Sequence, residues 1–377
     1  MTRVLIVPLF LLAMFVHHGR TCCGAEPTVP VTNASEANAP FAGHTQAVTA
    51  AAFSPDGKTI ITGSDDRTAR IWDADSGTLQ STIKETAREG YGGPVYAFSG
   101  DLKMMAVNYW GSVTIYSLPD GKSIKEIDPL LDRNQKSTFR PDVYGMAFSP
   151  DAKSLVTAGS KAGQGLPGGL IVVWNLETGK HVHVFNSLET AAGSVVWSAD
   201  GKMIATGTNG VGGELPSAGE VLVWDAVTGQ PMRTFKVKLS VEYGEWASAG
   251  DVTFSADSKR IAVPVTAGSR SAPAGLIVPE SGASIRVWDL SNGTSGNPVS
   301  GLKPSITRVL FSPDGSLLVG ACTDNHIRIW HSTSGKELQS ESCPDKATAI
   351  AFSPDGSKLV VGCKNGHVSI VQIKPAS

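Results

Sequence analysis

The stretch from Phe53 to Asp73, FSPDGKTIITGSDDRTARIWD, reads as three strands of one small sheet joined by two tight turns. A strand ends at Phe53; Pro55 then pre-sets φ for a turn, and Gly57 is free to take positive φ. Thr59 to Gly63 is a β-rich run, Asp65 and Asp66 turn the chain, and Thr68 to Trp72 alternates polar and apolar as a half-buried strand does. A unit this small cannot bury its own apolar face, so it needs neighbours of its own kind.

Six weaker copies supply them. They begin FSGD at Phe98, FSPDAK at Phe148, WSADGK at Trp197, FSADSK at Phe254, FSPDGS at Phe311 and FSPDGS at Phe352, at intervals of 45, 50, 49, 57, 57 and 41 residues. Five copies close on a tryptophan after an alternating run: Trp72, Trp174, Trp224, Trp288 and Trp330. The second copy has Tyr116 in that place and the seventh has Val371. A period near 40–45 residues with a W-D ending marks a four-stranded propeller blade.

On these residues the chain resembles the WD-repeat (WD40) β-propeller family from residue 37 to residue 374. The resemblance implies an all-β, seven-bladed propeller with four antiparallel strands per blade. The seventh copy ends at Lys374 after its third strand. In the family a segment before the first blade supplies the missing outer strand, which implies a ring closed by pairing 37–42 with 367–373. His44, Thr62, Asp66 and Trp72 resemble the family's structural hydrogen-bond tetrad of loop, turn, strand and indole. A catalytic reading of His44 and Asp66 lacks a nucleophile placed to complete a triad.

The length of 377 residues suits one closed ring better than several unrelated domains. A formal charge of −2 gives no electrostatic footprint for nucleic acid. Residues 1–25 differ from the rest: Arg3 precedes an apolar run from Val4 to Val16, and Cys23 and Ala25 fit a small-residue cleavage rule before Glu26. That run is too short for a transmembrane span of roughly 20 residues, so a signal peptide and an exported protein are expected. Residues 26–36, polar and Pro-rich, read as a linker.

Cys22 and Cys23 lie in the leader, which leaves Cys322, Cys343 and Cys363. Cys343 and Cys363 stand at the blade-seven places that His44 and Ser64 hold in blade one, near one end of the sheet. A Cys343–Cys363 bridge and a pair of unbridged thiols both fit, and Cys322, at the place of Cys363 one blade earlier, competes for the partner.

The informative irregularity lies in blades three to five. Anchor and closing Trp are 19 residues apart in blades one and six, but 26, 27 and 34 apart in blades three, four and five. The extra residues fall between second and third strands, near Gly159–Gly169, Thr208–Gly219 and Ala267–Ala283. Because strands alternate in direction, these connections emerge on the face that carries each blade's entry loop. Insertions on one face of a repeat fold often mark the binding face. Trp110, in the second–third turn of blade two, Tyr144 and Trp246 are expected near that face as anchors for a protein partner.

Other patterns carry no site. Gly163–Gly168 spells GxGxxG without the following helix that a dinucleotide needs. Asp73–Gly77 opens like a calcium loop, but Lys84 stands where the twelfth-position glutamate belongs. His181 and His183 share an outer strand without a third ligand. No catalytic motif is present and no cofactor is expected. The reading is an exported, monomeric, non-catalytic scaffold; its competitor is a propeller hydrolase, lyase or small-ligand binder using the channel mouth.

Overall fold

The computed structural model describes residues 40–84, 93–109, 112–127, 142–160, 168–188, 191–208, 219–236, 245–249, 251–269, 283–296, 299–302 and 304–374, with side chains at 186–188, 245–249 and 266–269 outside that description. The leader, the linker, Trp110 and the tips of the three long connections therefore lie outside the described residues.

Seven antiparallel sheets follow one another in the chain. Blade one comprises β1 (Val48–Phe53), β2 (Thr59–Ser64), β3 (Thr68–Asp73) and β4 (Leu79–Lys84). Blade two comprises β5 (Val95–Phe98), β6 (Met104–Tyr109), β7 (Ser112–Ser117) and β8 (Ser123–Ile127). Blade three has β9 (Asp142–Phe148), β10 (Ser154–Ser160), β11 (Gly169–Asn175) and β12 (His181–Leu188). Blade four has β13 (Ala192–Trp197), β14 (Met203–Thr208), β15 (Glu220–Asp225) and β16 (Pro231–Lys236). In blade five the first strand is split into β17 (Glu245–Ala249) and β18 (Thr253–Phe254), both paired to β19 (Arg260–Ser269), with β20 (Ala283–Asp289) and β21 (Val299–Leu302) outside. Blade six has β22 (Ile306–Phe311), β23 (Leu317–Cys322), β24 (His326–His331) and β25 (Glu337–Ser342). Blade seven has β26 (Ala347–Phe352), β27 (Lys358–Cys363) and β28 (Val368–Gln372).

No blade has a core of its own. Each of the seven buried clusters lies between two neighbouring blades, and each closing aromatic packs against the blade before it. Trp72, fully buried, packs with Val360 and Val368 of blade seven, so the ring is closed. Burying a side chain of that size is worth roughly 4–6 kcal/mol of transfer free energy. At the seam the Thr348 hydroxyl donates to Val48 O at 2.6 Å, and Lys358 Nζ meets Asp75 Oδ1 at 2.8 Å.

The expected fourth strand of blade seven differs in part. Among the described residues that sheet has three strands. Of the segment 37–42, residues 37–39 lie outside the described residues; Pro40 and Phe41 form a turn whose Phe41 amide bonds Gly77 O at 2.9 Å, not β28. The Phe41 ring, 5.8 Å from that of Trp72, caps the seam cluster instead.

The repeated turn after each first strand has one internal logic. In every blade the anchor is followed by a serine whose hydroxyl donates to the aspartate two residues on, as Ser54 does to Asp56. The same hydroxyl accepts from the amide that opens the second strand. The residue after next from that serine's proline site has positive φ throughout: Gly57, Leu102, Ala152, Gly201, Ser258, Gly315 and Gly356.

Candidate interaction face

First and third strands end on turns at one face, here called the turn face; entry loops and second–third connections meet on the other, the loop face. The turn face is closed by the molecule itself. Outer-strand side chains reach the next blade's turn: Lys125 Nζ donates to Leu176 O at 2.7 Å, His183 Nε2 to Val227 O at 2.9 Å, and Arg233 Nη2 to Ser291 O at 3.1 Å. His183 is thus an inter-blade clamp, while His181 sits edge-on to Trp174. Asp73 caps its own turn by accepting from the Ser76 amide and hydroxyl at 2.8 Å, which accounts for the calcium-like opening. The same turn aspartates after each anchor are held below the ordinary carboxylate range by their serine hydroxyls and amides, Asp355 at about 2.

On the loop face blade one carries a connected network. Trp72 Nε1 donates to Thr62 Oγ1 at 2.8 Å, Thr62 Oγ1 lies 2.8 Å from His44 Nε2, and His44 Nδ1 lies 2.9 Å from Asp66 Oδ2. The Asp66 carboxylate only accepts, so His44 Nδ1 carries the proton; in the neutral ring Nε2 then accepts from the Thr62 hydroxyl, whose oxygen accepts from the indole N–H. Burial lowers the His44 pKa, against the pull of Asp66. Burial opposes ionisation of Asp66 as well, but hydrogen bonds from His44, Thr68 and the Thr45 amide outweigh it and hold the carboxyl well below its usual range. Both side chains are almost fully covered and serve the fold.

The network weakens around the ring. Trp174 donates to Thr157 at 3.1 Å in blade three, whereas in blade four Thr206 donates to Ser194 O and buried Trp224 Nε1 finds no acceptor among the described residues. In blade six Gly320 takes the threonine's place beneath the Trp330 ring.

The first strands line a central channel of about 1020 Å³. Near its loop-face mouth five blades share a register shift that leaves one residue unpaired: Thr49, Tyr144, Gly193, Thr307 and Thr348. Such bulges re-aim a side chain. The three threonines turn inward and donate to backbone carbonyls of Gly63, Ala321 and Val48. Tyr144 is too large for that role and stands 42% exposed, its hydroxyl 3.3 Å from Asp142 Oδ2 and 3.4 Å from Ser160 Oγ. Burial of its inner part raises its pKa, with Asp142 adding to the shift.

Of the other expected anchors, the backbone of Trp246 lies on β17 opposite Gly268, at the loop-face half of blade five; its side chain and all of Trp110 lie outside the described residues. Sequence reading missed the channel's ion pair. Arg308 of β22 contacts Asp251 and donates through Nε to Thr348 O at 3.2 Å. Both charged residues stand three places before their anchors, Phe254 and Phe311, and that shared offset was the available signal. Among the described residues no cluster of three potential metal ligands occurs, and no helix is long and apolar enough to cross a membrane.

A sequence profile of the WD domain, G-beta repeat, matches residues 36–73, 296–331 and 335–371. Nuclear distribution protein nudF of Aspergillus niger is 26% identical over 79% of this chain and 62% of its own length. Apoptotic protease-activating factor 1 of Rattus norvegicus is 21% identical over 72% of this chain and 18% of its own length. The chain thus spans less than two thirds of the curated relatives it matches. A chain of Kuenenia stuttgartiensis hydrazine synthase superposes with a TM-score of 0.69 at 17% identity, covering 88% of this chain and 97% of that one, a likeness of fold alone.

Proposed function

Because the chain is a WD-repeat β-propeller, we propose that it is a non-catalytic protein-interaction scaffold that holds a partner on its loop face. The observation that carries this reading is Tyr144, re-aimed by a bulge and half-exposed where three other blades place threonines satisfied by backbone. Tyrosine offers a large rigid contact area at low entropic cost, as interface anchors require. The strands that precede the long connections of blades three to five end at Ser160, Thr208 and Ser269, and Ser160 Oγ lies 3.4 Å from the Tyr144 hydroxyl. Trp110 and Trp246 complete the proposed anchor set. WD-repeat propellers are typically interaction scaffolds, and the sequence relatives bear the names of distribution and activating factors.

The protein is further proposed to be exported as a monomer after cleavage before Glu26, which amino-terminal sequencing of the mature chain tests. Affinity capture from the exported fraction tests the binding role. The wild type retains a partner that the Trp110→Ala, Tyr144→Ala, Trp246→Ala triple variant loses at unchanged melting temperature; equal capture by both proteins would remove the three aromatics from the reading.

A second reading has one observation behind it. The Arg308–Asp251 pair puts both signs of charge inside the channel, as a small polar ligand would need. Each charge already answers the other, however, and Thr348 O occupies Arg308 Nε. Binding of small acids or bases that Arg308→Met abolishes would favour this alternative.

A further inference from the structure

Two cysteines share the packing between blades six and seven, next to the ring seam, and the proposed binding role does not account for them. Cys343 follows β25 in the link to blade seven, and its amide is pinned to Asn325 O at 2.7 Å. Cys363 ends β27, pairs with Ala347 at the head of β26, and donates its amide to His367 O at 2.8 Å. Cys363 belongs to the apolar cluster between blades six and seven with Val319, Ile327 and Val361, and Cys343 packs against that same cluster. Both are free, Cys363 buried and Cys343 half-buried.

The pair is chemically unequal. Interaction with Cys363 lowers the Cys343 thiol against the opposing effect of burial. That same contact, with burial, pushes Cys363 up. Cys343, half-buried where Cys363 is buried, is the member of the pair that a reagent in solvent reaches first.

We propose that Cys343 and Cys363 form a reversible disulfide that staples blade six to blade seven beside the seam, in exchange with a small-molecule disulfide of the glutathione type. The Cys343 thiolate attacks one sulfur of oxidised glutathione, and the released glutathione thiolate takes up a proton. Cys363 then gives its proton to solvent, and its sulfur displaces the second glutathione from Cys343. One S–S bond breaks and one forms; two electrons pass from the protein to the reagent, which leaves as two thiols.

The closed loop encloses β26, whose Thr348 bonds Val48 O across the seam and whose Lys346–Thr348 stretch lines the channel mouth. Oxidation thus ties blade seven, one side of the seam, to blade six. Cys322 has no part in it: it is fully buried between blades five and six, and burial raises its thiol.

The test equilibrates the full folded chain with glutathione at stepped reduced-to-oxidised ratios, then quenches with acid, alkylates and maps peptides. The expected result is a cross-link between the peptides holding Cys343 and Cys363, with a melting temperature raised by roughly 5 °C over the reduced protein and restored by dithiothreitol. Cys343→Ser removes both effects and Cys322→Ser leaves both. Should Cys343→Ser fail to fold, the wild-type cross-link and its reversal decide alone. The proposal is overturned if both thiols stay alkylatable in fully oxidised glutathione, if the bridge maps to Cys322, or if Cys343 stops at a stable glutathione adduct.

Discussion

The turn face and the loop face of this ring follow different rules. On the turn face all seven blades repeat one serine–aspartate turn, and Lys125, His183 and Arg233 tie blade to blade through backbone carbonyls. On the loop face, among the described residues, side chains tie down the second–third turns of blade one, Asp66 to His44, and of blade six, Asp324 to Arg328. Blades three to five instead lengthen that connection, and Tyr144 projects at the mouth. One face has its polar groups engaged within the molecule, and the other has side chains to offer.

If that division is right, substitutions on the two faces part company. The largest stability loss is expected at the loop-face exception: His44→Ala leaves Asp66 and Thr62 buried without their partner and costs about 2–3 kcal/mol, measurable by urea unfolding. The same site sets a pH dependence. With its folded pKa lowered, His44 contributes stability that is present above its unfolded value of 6.5 and is lost as pH falls below it. Asp66, also depressed, contributes above 3.8 and loses that contribution on further acidification. Melting temperature against pH should fall in those two windows, and the first fall should vanish in His44→Ala.

A smaller effect separates two tryptophans in the same place. Trp72→Phe breaks a bond to Thr62 and costs about 1 kcal/mol more than Trp224→Phe, whose indole N–H has no acceptor to lose. Equal losses in calorimetry would show that packing alone sets both sites. On the turn face Gly201, at φ 71°, and Ala152, at φ 56°, occupy equivalent places. Gly201→Ala is expected to lose about 1 kcal/mol and Ala152→Gly to gain up to about 1 kcal/mol, because the left-handed region penalises a Cβ.

The ring itself was legible in the sequence because every blade presents an aromatic anchor and all but the seventh present a closing aromatic to a neighbour. Phe53 and Trp72 recur for that physical reason, as do the serine and aspartate of the turn. What escaped was contact between blades and local departure within one blade, neither of which the repeat pattern encodes. Asp251 and Arg308 are far apart in the chain and join only because neighbouring first strands line one channel. The split of the first strand in blade five follows from a local break before Val252 that no repeat pattern predicts. Thr206 has the same residue type and offset as Thr62, yet its hydroxyl turns to Ser194 O and leaves Trp224 without an acceptor. Tyr144 was found by its offset from Phe148, but the bulge that exposes it was not.

The measurement that bears most directly on this division pairs affinity with stability for one residue from each face. Titration of the captured partner against Tyr144→Ala and Gly201→Ala, with melting curves of both, separates the two roles. The account predicts at least about tenfold weaker binding for Tyr144→Ala at the parent's melting temperature, and parental binding with a lowered melting temperature for Gly201→Ala. Parental affinity in Tyr144→Ala, or lost affinity in a still-folded Gly201→Ala, would contradict it.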